Sequence, residues 1–355
     1  MVEILADLFT KAKDGEIDKI CYLIQGRVAP LFQAIEFGIA DKMMIRAIAQ
    51  AYGVTGGKVL AAFGRLGDLG VTAEQLKMNL PAGGEKRQLK IEKELTIVEA
   101  YETLYKIATA SGKGSQEEKI SLLAKLLREA DSLSVRYLVR IPLGKLRLGF
   151  SDMTVLDALS FLVAGNKSQR LEIEKAYNVR PDLGFIAKTI KEKGIRGLKD
   201  ISPKPGTPIL MAKAERLSSG EEIIAKIGKC VIEGKIDGLR IQCHFVKGTP
   251  SLVRLFSRNL EDVTFMYPDL VRGIIKQVRA REAIFEGEAI AFNPQTGEYL
   301  PFQETVQRKR KYDIGEMTKT VPLKLIAFDC LYVDGKNLIP ESFLKRREYL
   351  EKIIK

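Results

Sequence analysis

A proline-rich run at residues 202–208, Ser-Pro-Lys-Pro-Gly-Thr-Pro, divides the chain into two parts with different hydrophobic patterns. A helix cannot continue through this run, because each proline lacks a backbone N–H and restricts the residue before it. Before the run, apolar residues recur at helical spacing, and after it they alternate or cluster as they do in strands. We therefore predict two domains, at residues 1–195 and 209–355, joined by a linker at residues 196–208.

The first part has a helical pattern from its start to about Ala187. Its clearest apolar stripe repeats at steps of one, three and four residues and consists of Ile120, Leu123, Leu126, Leu127 and Ala130. This spacing places the five side chains on one face of an amphipathic helix. We predict an all-α N-terminal domain.

The second part has mainly strand signals. Strands are predicted at residues 230–233, 239–245, 252–256, 284–292 and 323–333. Helices are predicted at residues 220–227, 270–278 and 341–354. Because the strands do not alternate regularly with the helices, the pattern favours an α+β domain over a doubly wound sheet.

The charge balance favours a polyanionic partner. The 57 Lys and Arg residues exceed the 45 Asp and Glu residues, which gives a formal net charge of +12. Neutralisation of phosphates by such residues dominates nucleic-acid affinity. The same surplus is also typical of a soluble protein from a lysine-rich lineage, so charge alone leaves both interpretations open.

Cysteine and histidine usage excludes some chemistries. The four cysteines form no Cys-x-x-Cys pair, which argues against a zinc site and fits a reducing cytoplasm. His244 is the only histidine, so a histidine dyad or a His-rich metal cluster is excluded. It lies in a strand-like run, where we expect a satisfied sheet position rather than a catalytic one. No stretch resembles a signal peptide or a membrane span, and we expect a soluble, intracellular protein.

Lys235 is the strongest candidate for a nucleophile. It begins residues 235–240, Lys-Ile-Asp-Gly-Leu-Arg. On a strand, such a lysine could face the α-phosphate of a nucleotide, while Gly238 allows a tight turn that brings the backbone close to a ligand and Arg240 holds anionic oxygens. A solvated hairpin with a charged rim would have the same four-residue pattern, so the run alone leaves both interpretations open.

Three later runs add to this hypothesis. Glu286 and Glu288 lie two residues apart on one face of a predicted strand, which favours a metal or a basic partner, although a solvent-facing pair fits equally. Arg258 follows another strand and could contact phosphate or lie in a surface turn. Phe328 lies inside an apolar strand, where an aromatic side chain is more often part of the core.

Taken in order, these runs resemble the covalent nucleotidyltransferase superfamily, in particular the ATP-dependent DNA ligases of the archaeal and eukaryotic replicative type. The matching segments are residues 235–240, 257–259 (Ser-Arg-Asn), 285–288 (Phe-Glu-Gly-Glu, with Glu286 where the family usually has Asp), 301–311 and 328–332. In the helical part, residues 136–149 and 176–180 resemble the DNA-binding domain of that family. The fold expected is an all-α DNA-binding domain followed by an α+β adenylation domain.

The resemblance implies a role for each matching residue. Lys235 forms a lysyl-AMP phosphoramidate, AMP then passes to the 5′-phosphate of a nick, and the 3′-hydroxyl displaces it. ATP is the cofactor, and Mg²⁺ is expected to neutralise charge at each transfer. The implied nucleotide contacts are Glu233 to the adenine amino group, Arg240 and Arg258 to ribose and phosphate oxygens, Glu288 to the nucleotide or metal, and Phe328 to the base by stacking.

The resemblance also implies a DNA surface on the first domain. Its residues are Arg140, Lys145, Arg147 and Gly149. Glycine lets the backbone approach a groove while the cations contact phosphates, without sequence readout. The alternative is that these charges solvate a helix corner. The expected partners are nicked duplex DNA and a sliding clamp, in a monomeric, cytoplasmic, nucleoid-associated protein of replication, repair and recombination.

The family pattern continues beyond what residues 1–355 contain. A Glu-Gly-hydrophobic-x-Lys strand, a lysine pair and a small β-barrel domain would follow, so we expect a fragment with little or no sealing activity by itself. An RNA ligase or an RNA-capping guanylyltransferase shares the lysine motif, but the helical first part argues against both. A non-catalytic DNA-binding scaffold remains an alternative, and an NAD-dependent ligase is disfavoured because no nicotinamide-recognition segment is found.

Overall fold

The computed structural model describes residues 1–80, 95–146, 148–310 and 312–355. They form two compact units, Met1–Tyr177 with Asp182–Asp200, and Asn178–Pro181 with Ile201–Lys355. The units divide after Asp200, inside the segment predicted as a linker at residues 196–208. The start of that segment lies in a 3-10 helix, Ile195–Asp200, of the first unit.

The first unit is helix-rich, as predicted. Its helices are α1 (Val2–Lys11), α2 (Ile17–Ile24), α3 (Asp41–Tyr52), α4 (Gly56–Leu66), α5 (Leu69–Met78), α6 (Ile97–Thr109), α7 (Ser115–Glu129), α8 (Ser132–Arg140), α9 (Asp152–Ala164), α10 (Arg170–Val179, whose last two residues fall in the second unit) and α11 (Leu183–Lys193). No helix within the described ranges is long and apolar enough to cross a membrane.

The predicted apolar stripe is confirmed on α7. All five of its side chains are buried, with at most 1% of any of them exposed. They join one hydrophobic core with residues of α3, α5, α6 and α8. Side-chain caps define where the neighbouring helices begin, as at Thr96, which forms a capping box with Glu99 at the start of α6.

The second unit combines helices with one antiparallel sheet. Its elements are α12 (Gly220–Ile227), β1 (Leu239–Val246), β2 (Leu252–Ser257), α13 (Pro268–Gln277), β3 (Glu282–Ala291), α14 (Phe302–Val306), α15 (Ile314–Thr320), β4 (Leu323–Val333), β5 (Lys336–Asn337) and α16 (Phe343–Ile353). The strand order is β2-β1-β3-β4-β5. Four of the five predicted strands are confirmed, but the strand predicted at residues 230–233 is wrong, because that segment forms no strand.

The two faces of this sheet differ in chemistry. Ile241, Cys243 and Phe245 of β1 point into a hydrophobic core that includes residues of α13 and α16. Successive side chains of a strand point to opposite faces, so the alternate residues Arg240 and Gln242 share the other face. This polar face carries most of the candidate site.

Candidate active site

Lys235 lies on an exposed segment before β1. Residues 228–237 form neither helix nor strand, and Lys235 itself has 88% of its side chain exposed. Its Nζ lies 3.9 Å from Oδ1 of Asp237. The strand predicted at residues 230–233 does not form, and none of the strands in the described part of the chain pairs with this segment. The lysine is therefore on a loop that leads into β1, rather than on a strand.

Gly238 explains how this loop approaches the sheet. A Cβ atom at this position would lie 2.5 Å from the carbonyl oxygen of Ala289 and 2.9 Å from Cγ of Glu288. Only glycine fits without displacing the backbone of β3. The neighbour that Gly238 approaches is a strand of the same sheet, and its expected role in bringing the backbone close to a ligand stays a prediction.

The register of β1 and β3 brings the predicted polar residues together. Arg240 pairs with Glu288, and Gln242 pairs with Glu286. Nη2 of Arg240 lies 2.5 Å from Oε2 of Glu286, and the guanidinium lies 5.5 Å from the centre of the Phe328 ring. Arg240, Glu286, Glu288 and Phe328 thus form one cluster across three strands.

Arg240 retains hydrogen-bonding capacity in this cluster. Its Nη1 donates to the carbonyl oxygen of Ala212 over 3.2 Å, and its Nη2 contacts Glu286. Its Nε is buried and has no hydrogen-bond partner among the described residues. Buried donors are rarely left without an acceptor, so this nitrogen could donate to a water molecule or to an oxygen of a bound ligand.

Glu288 is half-buried beside the turn. Burial raises the pKa of its carboxyl group, while the Gly238 backbone N–H and the charges of Arg240 and Lys235 act in the opposite direction. The described residues contain no group of three or more His, Cys, Asp or Glu side chains placed to hold a metal ion. A single carboxylate suits Mg²⁺ that is mainly held by nucleotide phosphates, since this ion commonly uses one or two protein carboxylates.

Arg347 of α16 links two other predicted residues, and sequence reasoning missed it. Its Nη1 lies 3.7 Å from Oε1 of Glu233 and donates to the carbonyl oxygen of Phe328 over 3.3 Å. Arg258 is exposed in the turn after β2, and no hydrogen bond or ion pair within the described ranges joins it to this cluster. No short motif marks Arg347, because its partners lie 19 and 114 positions away.

The predicted DNA-contact residues in the first unit have acidic partners. Arg140 forms an ion pair with Asp68 at 3.2 Å, and Nζ of Lys145 lies 2.8 Å from Oδ1 of Asp41. Gly149 has a positive φ of 72°, which favours glycine. Arg147 lies outside the described residues.

A small pocket adjoins the predicted DNA-contact loop. It has a volume of about 290 Å³, and its lining includes Gly144, Gly149 and Arg27. Arg27 lies more than 110 positions before this loop, so sequence spacing gave no signal that it belongs there. Arg27 therefore lies at the same pocket as Gly144 and Gly149 of the predicted DNA-contact loop.

The basic run at residues 308–311 begins with a structural residue. Arg308 has 1% of its side chain exposed and forms a two-pronged ion pair with Asp269 at 2.9 Å. It also donates to the carbonyl oxygen of Val321 over 2.7 Å. This arginine therefore ties α13 to the segment before β4, and Lys311 lies outside the described residues.

Comparison with known proteins matches both parts of the chain to ligase families. Residues 1–160 match the family described as DNA ligase N terminus, and residues 211–355 match the family described as ATP dependent DNA ligase domain. The two matches together span most of the chain, which belongs to the ATP-dependent DNA ligase family.

Several relatives match over the whole chain. A protein named probable DNA ligase from Dictyoglomus thermophilum is 48% identical over 354 residues, which are 100% of this chain and 58% of that protein. DNA ligase 2 of Thermofilum pendens is 44% identical, and the DNA ligase of Pyrobaculum calidifontis is 43% identical; the chain is covered fully in both cases and spans 59% of each relative. The chain thus spans somewhat more than half the length of these relatives.

Several solved chains match this protein, and one of them matches over about a third of it. It is described as mycobacterial DNA ligase D complexed with ATP and MES, with 29% identity over 34% of this chain and 35% of that chain. The TM-score is 0.26, which is too low to support an inference about the fold.

Proposed function

We propose that this chain is the DNA-binding and nucleotide-binding portion of an enzyme that seals nicks in duplex DNA with ATP. The observation that carries the proposal is the cluster on the polar sheet face, where Arg240 keeps a buried Nε without a partner beside Glu286 and Glu288. Lys235 lies four residues before β1 begins and three residues before Gly238, which approaches β3 closely. Family membership supports the same activity.

The proposed reaction has three transfers. Lys235 Nζ, after losing a proton, attacks the α-phosphorus of ATP; the P–N bond forms as the bond to the pyrophosphate oxygen breaks. An oxygen of the nick 5′-phosphate then displaces the lysine and takes the AMP. Finally, the 3′-hydroxyl attacks the phosphorus of the nick 5′-phosphate, gives up its proton and expels AMP, which closes the strand.

The site residues are proposed to bind the nucleotide in these steps. Arg240, through its unpartnered Nε, and Arg258 hold ribose and phosphate oxygens, and Glu233 accepts a hydrogen bond from the adenine amino group. Phe328 stacks on the base. Mg²⁺ bound through Glu288 would supply charge neutralisation at the phosphates.

In the first unit, we propose phosphate contacts by Arg140, Lys145 and Arg147, with Gly149 allowing close approach of the backbone. Arg27 joins this surface through the shared pocket. Phosphate contacts position a protein without reading sequence, which is what an enzyme acting at any nick requires.

Nicked duplex DNA is the proposed substrate, and we propose residues 1–195 and 209–355 as the domains, joined at residues 196–208. A sliding clamp is a proposed partner of the monomeric protein on chromosomal DNA in the cytoplasm.

Self-labelling with α-³²P-ATP and Mg²⁺ tests the nucleophile. We expect an acid-labile labelled band that requires Lys235 and disappears in Lys235→Ala. Lys229→Ala is the matched control, because Lys229 is exposed on the same segment and should leave labelling unchanged. Labelling that persists in Lys235→Ala would contradict the proposal, and labelling by GTP instead of ATP would favour a capping-type enzyme.

A further inference from the structure

Three alternate side chains of β1 hold the backbone of one irregular segment, residues 206–212, which we call the clasped segment. His244 accepts a hydrogen bond from the Gly206 N–H at its Nδ1 over 3.0 Å. Gln242 accepts from the Ile209 N–H over 2.7 Å and donates to the Ile209 carbonyl oxygen over 3.0 Å. Arg240 completes the series through the carbonyl oxygen of Ala212. The clasped segment therefore runs antiparallel to β1, across its polar face.

The bond to Gly206 fixes the protonation of His244. Because Nδ1 accepts a hydrogen bond, the proton of the neutral ring is on Nε2, which lies 3.0 Å from Oε1 of Gln242 and donates to it. Burial, followed by the charge of Arg254, lowers the pKa of His244 to about 3. The ring also packs edge-on against Phe256, with centroids 4.9 Å apart.

The oxygen and the nitrogen of the Gln242 side-chain amide each take part in two hydrogen bonds. Its Oε1 accepts from the Ile209 N–H and from His244, and its Nε2 donates to the Ile209 carbonyl oxygen and, over 2.8 Å, to Oε1 of Glu286. Such an amide cannot rotate by 180° without setting donors against donors. Its orientation in turn fixes Glu286, which is 3% exposed.

This series of hydrogen bonds ends at Arg240, which is proposed to bind the nucleotide. Glu286 presents one carboxylate oxygen to Gln242 and the other to Arg240, whose Nε remains without a partner. Apolar side chains could fill a buried sheet face with equal or greater stability than charged ones, so stability alone does not explain this polar chain. What this hydrogen-bonded series of side chains adds is a fixed orientation of the Arg240 guanidinium.

We propose that Gln242 and His244 are positioning residues that orient Arg240 for nucleotide binding, by locking the clasped segment and Glu286. This inference rests on the proposed function, because the ligand of Arg240 is taken to be ATP. Neither residue touches the nucleotide or Lys235 in this scheme. Their loss should therefore weaken ATP binding while leaving the rate of the chemical step at saturating ATP nearly unchanged.

The test uses variants of His244 in the 355-residue chain and measures lysyl-AMP formation against ATP concentration. His244→Phe keeps a ring against Phe256 and removes both hydrogen bonds. We expect its KM for ATP to rise about tenfold, as for the loss of a buried hydrogen bond, with the maximal rate within about threefold of wild type. His244→Asn keeps an acceptor for Gly206 and should show a rise of only about threefold.

A second readout separates positioning from loss of fold. His244 is the only histidine, so its ¹⁵N spectrum should show one neutral, Nε2-protonated ring. The Arg240 Nε–H signal should shift on addition of ATP in wild type and shift less in His244→Phe. If His244→Phe does not fold, His244→Asn and the wild-type spectrum carry the test.

The outcomes distinguish the two proposals. If wild type neither binds nor is labelled by ATP, the proposed function fails and this inference fails with it. If wild type is labelled and His244→Phe has an unchanged KM, only the positioning role is overturned. A fall in maximal rate at unchanged KM, or a ring protonated on Nδ1, would overturn it as well.

Discussion

Two irregular segments precede β1, and they differ in what holds them. The clasped segment has three backbone groups bonded to buried side chains, and its Ile209 is 5% exposed. Residues 228–237 carry Lys235 but lie in the open, with Ile232 92% exposed. Two ion pairs involve this segment: Glu233 lies 3.7 Å from Arg347, and Lys235 lies 3.9 Å from Asp237.

The difference shows that an irregular segment is ordered by partners for its backbone rather than by regular structure. Buried side chains supply these partners to the clasped segment, whereas residues 228–237 are mostly exposed to solvent. The site therefore has a rigid half around Arg240 and a loosely held half around Lys235. Loosely held segments are where proteins place groups that must move, so Lys235, the proposed nucleophile, lies on the half that can adjust.

Amide hydrogen exchange should show the largest contrast. Each rate is taken relative to the exchange rate of the same amide in an unfolded chain. On that scale the Ile209 N–H should exchange at least about a thousandfold more slowly than the Ile232 N–H. The reason is that the Ile209 N–H, bonded to Gln242, can exchange only after the structure opens, whereas the Ile232 N–H needs no such opening. The measurement is hydrogen–deuterium exchange followed by NMR at neutral pH. Equal protection at the two positions would remove the basis of the comparison.

Removing Glu286 should destabilise the protein strongly. Glu286→Ala removes the buried carboxylate that accepts hydrogen bonds from Arg240 and Gln242, and we expect the free energy of unfolding in urea to fall by about 3 kcal/mol. Glu233→Ala is the matched control, because its ion pair is exposed and should contribute less than about 0.5 kcal/mol. Similar losses in both variants would show that the two halves are equally rigid.

The stability should also depend on pH through His244. Its pKa is about 3 in the folded protein, whereas an unfolded histidine titrates near 6.5. The unfolded chain therefore binds more protons between these values, so this stabilisation is complete above about pH 6.5 and is lost as the pH falls towards 3.

We expect the contribution of His244 to the unfolding free energy to be about 2 kcal/mol smaller at pH 5 than at pH 8. Because no other histidine is present, His244→Asn should remove most of this change over the same interval. The check is urea unfolding of both proteins at several pH values. An identical pH profile for the two would mean that His244 is not buried in its neutral form.

The sequence predicts those parts of the fold that depend on local pattern. The prediction of a strand at residues 323–333 coincides with β4, and helix α12 coincides with its predicted range of 220–227. The strand at residues 230–233 was wrong although its residues favour strands, because β-propensity acts only where a neighbouring strand offers hydrogen bonds. No such neighbour exists in the described ranges.

The candidate site is predictable only in part for the same reason. The motif located Lys235 and Arg240, and the expectation that His244 is a satisfied sheet residue is confirmed. The ion pair between Arg240 and Glu286 depends on the register of β1 against β3, because the two residues lie 46 positions apart in the sequence. Likewise, the ion pair of Lys145 with Asp41 spans 104 positions, which no local pattern reveals.

The smallest expected effect concerns the open segment itself. Ile232→Thr keeps a β-branched side chain and should change the free energy of unfolding by less than about 0.5 kcal/mol, since the side chain packs against little. It should nevertheless reduce concentration-dependent self-association measured by sedimentation, because exposed apolar side chains promote contacts between molecules. A loss above about 1 kcal/mol would mean that Ile232 is buried in solution. Residues 228–237 would then belong to the rigid half, and Lys235 would be held as firmly as Arg240.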